Sequence, residues 1–416
     1  MSKPNKAYSN KYKKSSANKA ASTPKTVPEK AMSTPKPVDM SGQVTLGFNA
    51  TDTLFFRESR PMESMGELQS VFPPPVRTLA GAIRTLIGEN LNINWREFNV
   101  QKKQHFAYAH IGYGDDLNNL RFQGAWLALD GQRLYPTPLL LMQKDHVLYR
   151  LTLENSGTWC DLGKKVRLPK LPNDEANGSK PMENTWLTAD GLSAVLRGGK
   201  PDPTHIKTAA DLFERESRLG IARDNSTRTV EKGLLYQTQH IRPHQGLSVE
   251  LDATGLPETM PNGAISRLGG EGRTASVEAK RTNSPLPKAP DISKNTQGLL
   301  LYLLTPLNMP QASHLGFSRK EPDTDKEQTV WTGTINGIEL ELHGAVTGKA
   351  LREGGWDMAN HQPRAVTSLI PAGSVFFCSA KNGDTQAAIK ALHNTQIGEL
   401  SAYGYGHIAA GLWLKD

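Results

Sequence analysis

Apolar and polar positions begin to alternate at residue 43, and from there the period separates strand from helix. VTLGFNATDTLFFR reads as one or two short strands around a polar turn. PPPVRTLAGAIRTLIGEN reads as a helix. Proline is tolerated at a helix start because the first amides have no intrahelical partner, and Val76, Leu79, Ala80, Ile83 and Ile87 recur at helical spacing as a buried face. GAWLALDG and PTPLLLMQ are strand-like, and residues 161–205, rich in Pro, Gly, Asn and Lys, read as loops and insertions. RLGIARDNSTRTVEKGLLYQTQHI reads as an extended hairpin turning at DNST. LSVELDATG is a further strand, PNGAISRL a short helix leading into the glycine loop LGGEGR, and RTASVEAKR the strand after that loop.

A second cycle follows the linker-like stretch 281–296. LLLYLLTPL is a buried strand, WTGTINGIELELHGAV and SVFFCSA are further strands, TQAAIKALHN is a helix, and AYGYGHIAAGLWL is a glycine loop running into a last strand. Both halves thus open on an apolar strand and close on helix, glycine loop and strand. This weak internal repeat is what two ferredoxin-like βαββαβ units in tandem would produce. The predicted fold class is α+β: a disordered Lys-rich tail over 1–42, an N-terminal ferredoxin-like (RRM-like) domain with inserted loops and a hairpin over 43–285, and a C-terminal one over 286–416.

Composition changes this picture in three ways. The 416 residues are too many for one ordinary domain. Residues 1–40 carry nine lysines against Glu29 and Asp39, which is seven of the chain's net +8 and leaves +1 over the remaining 376 residues. The tail buries too little apolar surface to fold, and its lysines serve equally as a solubilising leader or as a source of non-specific affinity for RNA. The folded part is almost neutral, so any basic binding face on it is local. Cys160 and Cys378 have no paired spacing, which argues against a disulfide framework or zinc cluster and suits a reducing cytoplasm. No apolar run approaches the roughly 20 residues of a membrane span, and the N-terminus lacks the apolar core of a signal peptide.

Candidate chemistry is sparse. A dinucleotide fingerprint needs a strand before its glycines and a helix after them, and a P-loop needs Lys-Ser/Thr after its last glycine; neither glycine loop complies. What remains is a hairpin with outward amides that another backbone can approach, or simply a tight helix-to-strand turn. Arg77, Gly81, Arg84 and Gly88 form one stripe of the 75–90 helix, either a seat for a polyanion or a solvated basic face. Arg57 and Arg60 lie just upstream. The hairpin over 212–242 interleaves Arg215, Arg218, Arg223, Arg228, Lys232 and Arg242 with Tyr236 and His240, a mixture that suits single-stranded nucleic acid as well as an ordinary surface. His407, beside the second glycine loop, is either a general acid/base or a loop histidine that only hydrogen-bonds. GYGDD at 112–116 reads as an Asx turn rather than a metal-binding pair. No catalytic constellation, metal site or cofactor motif is present in the sequence.

FRESRPM, SVFPPPVRTLAGAIRTLIG, RLGIARDNSTRTVEKGLLYQTQHIR, LGGEGR and GGWD…PRAV…IPAGSVFF, in that order, resemble the third-subunit family of Cmr-type (type III-B) CRISPR effectors, within the RAMP superfamily. The likeness runs from about residue 45 to the C-terminus. It implies a non-catalytic, cytoplasmic subunit of an antiviral ribonucleoprotein that grips the 5′ tag of the crRNA, docks the large polymerase-like Cmr subunit, adjoins the backbone Cmr subunits and meets target RNA only indirectly. It implies RNA contacts at Arg57, Arg60, Arg77, Gly81, Arg84, Gly269, Gly270, Arg273, Gly404, Gly406 and His407, and a hairpin thumb for which the 212–242 hairpin or the 161–205 segment qualifies. The alternative within that superfamily is a metal-independent endoribonuclease of CRISPR repeat RNA. A third reading is an adaptor that touches no RNA.

Overall fold

The computed structural model describes residues 42–59, 67–223, 226–258, 260–281, 286–322 and 328–415; the tail expected over 1–42 lies almost wholly outside them. Two antiparallel sheets carry the fold. The first is drawn from β1 (Val44–Ala50), β2 (Arg121–Leu129), β3 (Gln132–Pro136), β4 (Thr185–Leu187), β5 (Ile206–Thr208), then, after the long hairpin β6 (Phe213–Arg223) and β7 (Val230–Pro243), from β8 (Leu247–Thr254), β9 (Ala264–Arg267) and β10 (Thr274–Arg281). Its order is β5-β4-β3-β2-β8-β1-β10-β9. The second comprises β11 (Thr296–Leu303), β12 (Ser318–Lys320), β13 (Val330–Ile335), β14 (Ile338–Val346), β15 (Val375–Ala380), β16 (Thr395–Gln396) and β17 (His407–Leu414), ordered β12-β13-β14-β15-β11-β17-β16.

The two halves share a strand order. Four strands of each half, numbered in chain order, lie side by side as second, third, first, fourth: β2-β8-β1-β10 and β14-β15-β11-β17, with every neighbour antiparallel. The helices do not repeat. The first half carries α1 (Val76–Asn90) between its first and second strands. The second carries a helix, Thr385–Leu392, between its third and fourth. Among the described residues neither half has both.

α1 lies on the face of the first sheet away from the second. Val76, Leu79, Ile83 and Ile87 meet Leu46 and Phe48 of β1, as the helical spacing requires. The helix Thr385–Leu392 mirrors it, setting Ile389 and Leu392 on Leu299, Leu301 and Leu303. The alternate residues of β11, Leu300 and Tyr302, turn into the layer between the sheets with Trp126, Phe377 and Trp413. A strand covered on both faces has no solvent side to mark, which is why LLLYLL reads as an unbroken apolar run. A buried network also fills this layer: Arg133 reaches Asp252 at 2.7 Å and Glu250 at 3.1 Å.

Two expectations fail. PNGAISRL is not a helix; residues 264–267 are β9, paired with β10, and their exposure alternates with Ile265 out and Ser266 in. The first glycine loop is therefore the turn of a hairpin. The 161–205 stretch is not all loop. It contains the helix Ala189–Leu196, capped by the Thr188 hydroxyl accepting from the Gly191 amide, with Leu192, Val195 and Leu196 buried between the sheets. Thr188 before an acidic first turn at Asp190 is a start signal the sequence did contain.

Candidate nucleic-acid interface

The segment after β1 organises the surface. Leu54 bridges Ile241 of β7, Phe55 bridges Gly269 of the first glycine loop, and Arg57 bridges Ser70. The Gly270 amide donates to the Phe55 carbonyl at 2.8 Å. Gly269 has φ +82°, and a β-carbon there would stand 2.3 Å from the Phe55 oxygen. The close backbone approach expected of this loop thus exists, but Gly269 and Gly270 make it to their own chain. The outer part of the loop, Glu271 and Gly272, is exposed, and their amides donate to no acceptor among the described residues.

Arg273 leaves this loop toward the base of the hairpin, where three guanidiniums converge on one carboxylate. Asp52 Oδ1 accepts from Arg242 at 3.1 Å, and its Oδ2 accepts from Arg218 at 3.2 Å and Arg273 at 3.3 Å. Glu216 accepts from both Arg218, at 2.7 Å, and Arg242, at 2.6 Å. The hydrogen-bonded group itself holds three cations against two anions, with the exposed Glu271 of the loop nearby in sequence. His240 beneath it is buried, stacks on Phe55 at 5.0 Å and bonds Thr53. Its pKa is lowered, first by burial and then by the fields of Arg273 and Arg218.

A second arginine group forms around α1. Arg77 donates to Asp115 at 2.6 Å, lies 3.8 Å from Glu353 and covers the Tyr403 ring at 4.9 Å. Arg364, of the PRAV motif, shares Asp115 at 2.9 Å. Arg84 is half-buried and donates to the Gly114 carbonyl at 2.9 Å. Burial lowers its pKa. The open stripe expected on α1 is therefore corrected. Arg77 and Arg84 are committed to the 112–116 turn, Gly88 is covered by Trp95, and Gly81 alone of the four is exposed and unobstructed. The GYGDD turn is indeed an Asx turn, with Asp116 accepting from the Asn118 amide. A cavity of about 320 Å³ opens here, lined by Arg77, Asp115, Arg364, Glu353 and the strands around GGWD.

The two arginine groups are joined. Ser59, six residues beyond Thr53, accepts through its hydroxyl from the Gly354 amide of GGWD at 2.8 Å. Asp52 at one end and Ser59 at the other thus tether both groups to one segment, which can span at most about 25 Å. Between them stands Arg57, exposed and without a side-chain partner among the described residues. Trp356 is 55% exposed on the same GGWD hairpin, so it is not the core residue its type favours.

The second glycine loop is a different object. Gly404, Gly406 and His407 are all buried. A β-carbon on Gly404 would meet Gln123 Cα and the Phe122 carbonyl of β2 at 2.9 Å, and one on Gly406 the Ile397 carbonyl at 1.9 Å. His407 lies between the sheets, its Nε2 2.8 Å from Asn394 Oδ1 and 2.9 Å from the Gln123 amide. Burial pushes its pKa down to about 3. That burial argues against RNA contact at these three positions, and of the two readings of His407 it fits the histidine that only hydrogen-bonds.

On the hairpin, Arg228 is exposed, and the Tyr236 ring covers Gly220, its cross-strand partner. Arg60 and the Arg223 side chain lie outside the described residues. The sequence did not single out Asp52 or Arg364; both owe their place to contacts with residues far away in the chain. Among the described residues no His, Cys, Asp and Glu cluster could hold a metal ion, and no helix is long and apolar enough to cross a membrane.

A family model for a CRISPR-associated protein, Cas_Cmr3, matches residues 46–413. Among solved structures, the chain is similar to a type III-B Cmr-beta cryo-EM structure bound to cognate target RNA, at 16% identity and TM-score 0.43, covering 90% of this chain and 99% of that one. A second such structure, bound to cognate target RNA and AMPPnP, gives 16% identity and 0.42, covering 81% and 86%. A Csm3–Csm4 subcomplex of the type III-A interference complex gives 12% and 0.34, covering 81% and 94%. No curated protein matches the sequence.

Proposed function

Because the chain belongs to the Cas_Cmr3 family of CRISPR-associated proteins, the third-subunit family of type III-B Cmr effectors, we propose that it is a non-catalytic RNA-binding and scaffold subunit of such an effector. Its RNA ligand is the 5′ tag of the crRNA, and its protein partners are the large polymerase-like subunit and the backbone subunits. Two ferredoxin-like domains, 43–285 and 286–416, form its frame, a reading supported by the shared strand order of the two halves. The observation that carries the RNA reading is the segment from Asp52 to Ser59. It ties a cation-rich glycine loop at one end to the Arg77–Arg364 group at the other and leaves Arg57 exposed between them. Such a row of guanidiniums along a bound strand matches phosphates, which need charge and donors more than they need a pocket.

Arg57, Arg218, Arg242 and Arg273 are the contacts this geometry favours. Gly81, Arg228 and Trp356 are further exposed positions, and Tyr236 is half-exposed on the hairpin. A labelled RNA carrying the repeat-derived tag, titrated against the full chain over a range of salt concentrations, tests the reading. Arg57→Ala with Arg273→Ala should weaken binding roughly ten-fold and flatten the log–log salt slope by about 1.4, two single-strand phosphate contacts. Unchanged affinity and slope would overturn the placement. Cleavage of the RNA by the lone chain would overturn the non-catalytic reading.

A further inference from the structure

Three arginines share the Asp52 carboxylate at the surface. Asp52 has half-exposed side-chain atoms, as has Arg242, while Arg218 and Arg273 are 29% and 24% exposed, so two of the three guanidiniums are more enclosed than the anion they surround. Arg273 Nε is buried and has no acceptor among the described residues, so the Asp52 pair leaves this guanidinium incompletely satisfied. Beside it the Glu271 and Gly272 amides also lack acceptors, and Gly272 faces open space. The set of donors thus exceeds what one aspartate can satisfy. Its arrangement, guanidiniums next to a turn of free amides, is that of an anion seat. The Arg218 bond above all keeps Asp52 below the usual carboxylate range, so the seat is filled by a charged group at neutral pH.

We propose that Asp52 occupies the seat of an RNA backbone phosphate: its carboxylate holds Arg218, Arg242 and Arg273 in register while the site is empty and gives way to a phosphate when RNA binds. This rests on the RNA reading above. It makes Asp52 a positioning residue that opposes binding, and it assigns the seat to the hairpin base and glycine loop together. Glu216 remains behind on Arg218 and Arg242, so those two guanidiniums stay oriented when Asp52 leaves. An internal anion of this kind sets the affinity threshold: only a ligand with phosphates on both sides of the seat displaces it, and a lone phosphate does not.

The test uses the full chain and a fluorescein-labelled single-stranded RNA carrying the repeat-derived tag. Asp52→Asn should bind about five-fold tighter than the parent and steepen the log–log salt slope by about 0.7, one added phosphate contact on a single strand. Glu339→Gln, a matching charge change at an exposed Lys381 pair in the second sheet, should shift affinity less than two-fold. In the Asp52→Asn background, Arg273→Ala should cost more affinity than it costs the parent. Asp52→Ser replaces Asp52→Asn if thermal melting shows the latter unfolded. Unchanged or weaker RNA binding by a folded neutral variant would overturn the proposal, as would a gain equal to that of Glu339→Gln. Tightening toward poly-glutamate but not RNA would overturn it in favour of an acidic protein partner. A parent chain that binds no RNA at all would instead overturn the RNA reading, and this inference with it.

Discussion

LGGEGR and AYGYGH are near-equivalents in sequence, each a run of glycines before a strand, and they have opposite fates. The first turns between β9 and β10 at the surface, with Glu271 and Gly272 exposed. The second is buried against β2, where Gly404 touches the backbone at Phe122 and Gln123. Both use glycine for the same physical reason, a positive φ next to a close backbone. In the second loop all of that closeness is internal, and it locks the two sheets together beside His407. In the first, the internal contact stops at Phe55, and the outer half of the turn remains open beside the three arginines that share Asp52. Of the two glycine loops, only the first keeps an open side, and arginines stand beside it.

The sharpest way to break this comparison is Gly406→Ala. The residue has φ +68°, and the new methyl would overlap the Ile397 carbonyl at 1.9 Å. Left-handed strain alone costs about 1–2 kcal/mol. With backbone displacement added, the loss should reach about 4 kcal/mol, a large share of a typical domain's stability. Urea unfolding measures it. A loss under about 1 kcal/mol would mean that the second loop does not close the interior.

The next effect is a pH dependence. His407 is held neutral by burial, and its Nδ1 has no acceptor that a second proton could use. Its folded pKa, about 3, lies below the unfolded value near 6.5. The unfolded chain therefore binds a proton that the native chain refuses. The stabilisation is complete above pH 6.5 and is lost as pH falls toward 3, by about 1.4 kcal/mol per pH unit. His343, lowered to about 4 chiefly by burial, adds a parallel loss. Between pH 6.5 and 5, urea midpoints of the parent should fall more steeply than those of His407→Gln. Equal slopes would remove His407 from the interior.

How much of this was legible in the sequence follows from the range of the forces involved. α1, the hairpin β6–β7 and the doubly buried β11 were readable because periodicity is local. The same is true of the strand character of RTASVEAKR. PNGAISRL was misread because four residues carry too little period, and β9 exists only through its pairing with β10. The helix Ala189–Leu196 was hidden by the loop-rich composition around it, although Thr188 announces its start. The cations of the site were legible as types, but not their partners. Asp52 meets Arg273 across 221 positions and Arg364 meets Asp115 across 249. The fate of His407 was settled by Gln123, 284 positions away. No local pattern separates an exposed glycine loop from a buried one when the covering strand lies that far off in the chain.

The smallest effect sharpens the exposed side of the comparison. Gly272 has φ +66° and nothing within 4 Å of a β-carbon. Gly272→Ala should therefore cost about 1 kcal/mol, the left-handed penalty without a clash. That is a fraction of the cost at Gly406, although the two substitutions look identical in sequence. The methyl would stand on the open side of the turn, where the proposed strand passes next to the Gly272 amide. RNA affinity should fall about three-fold in a variant that still melts cooperatively, because a β-carbon holds a phosphate off a backbone donor. An unchanged affinity would move the strand away from the turn and leave the arginines around Asp52 as its only contact at this end.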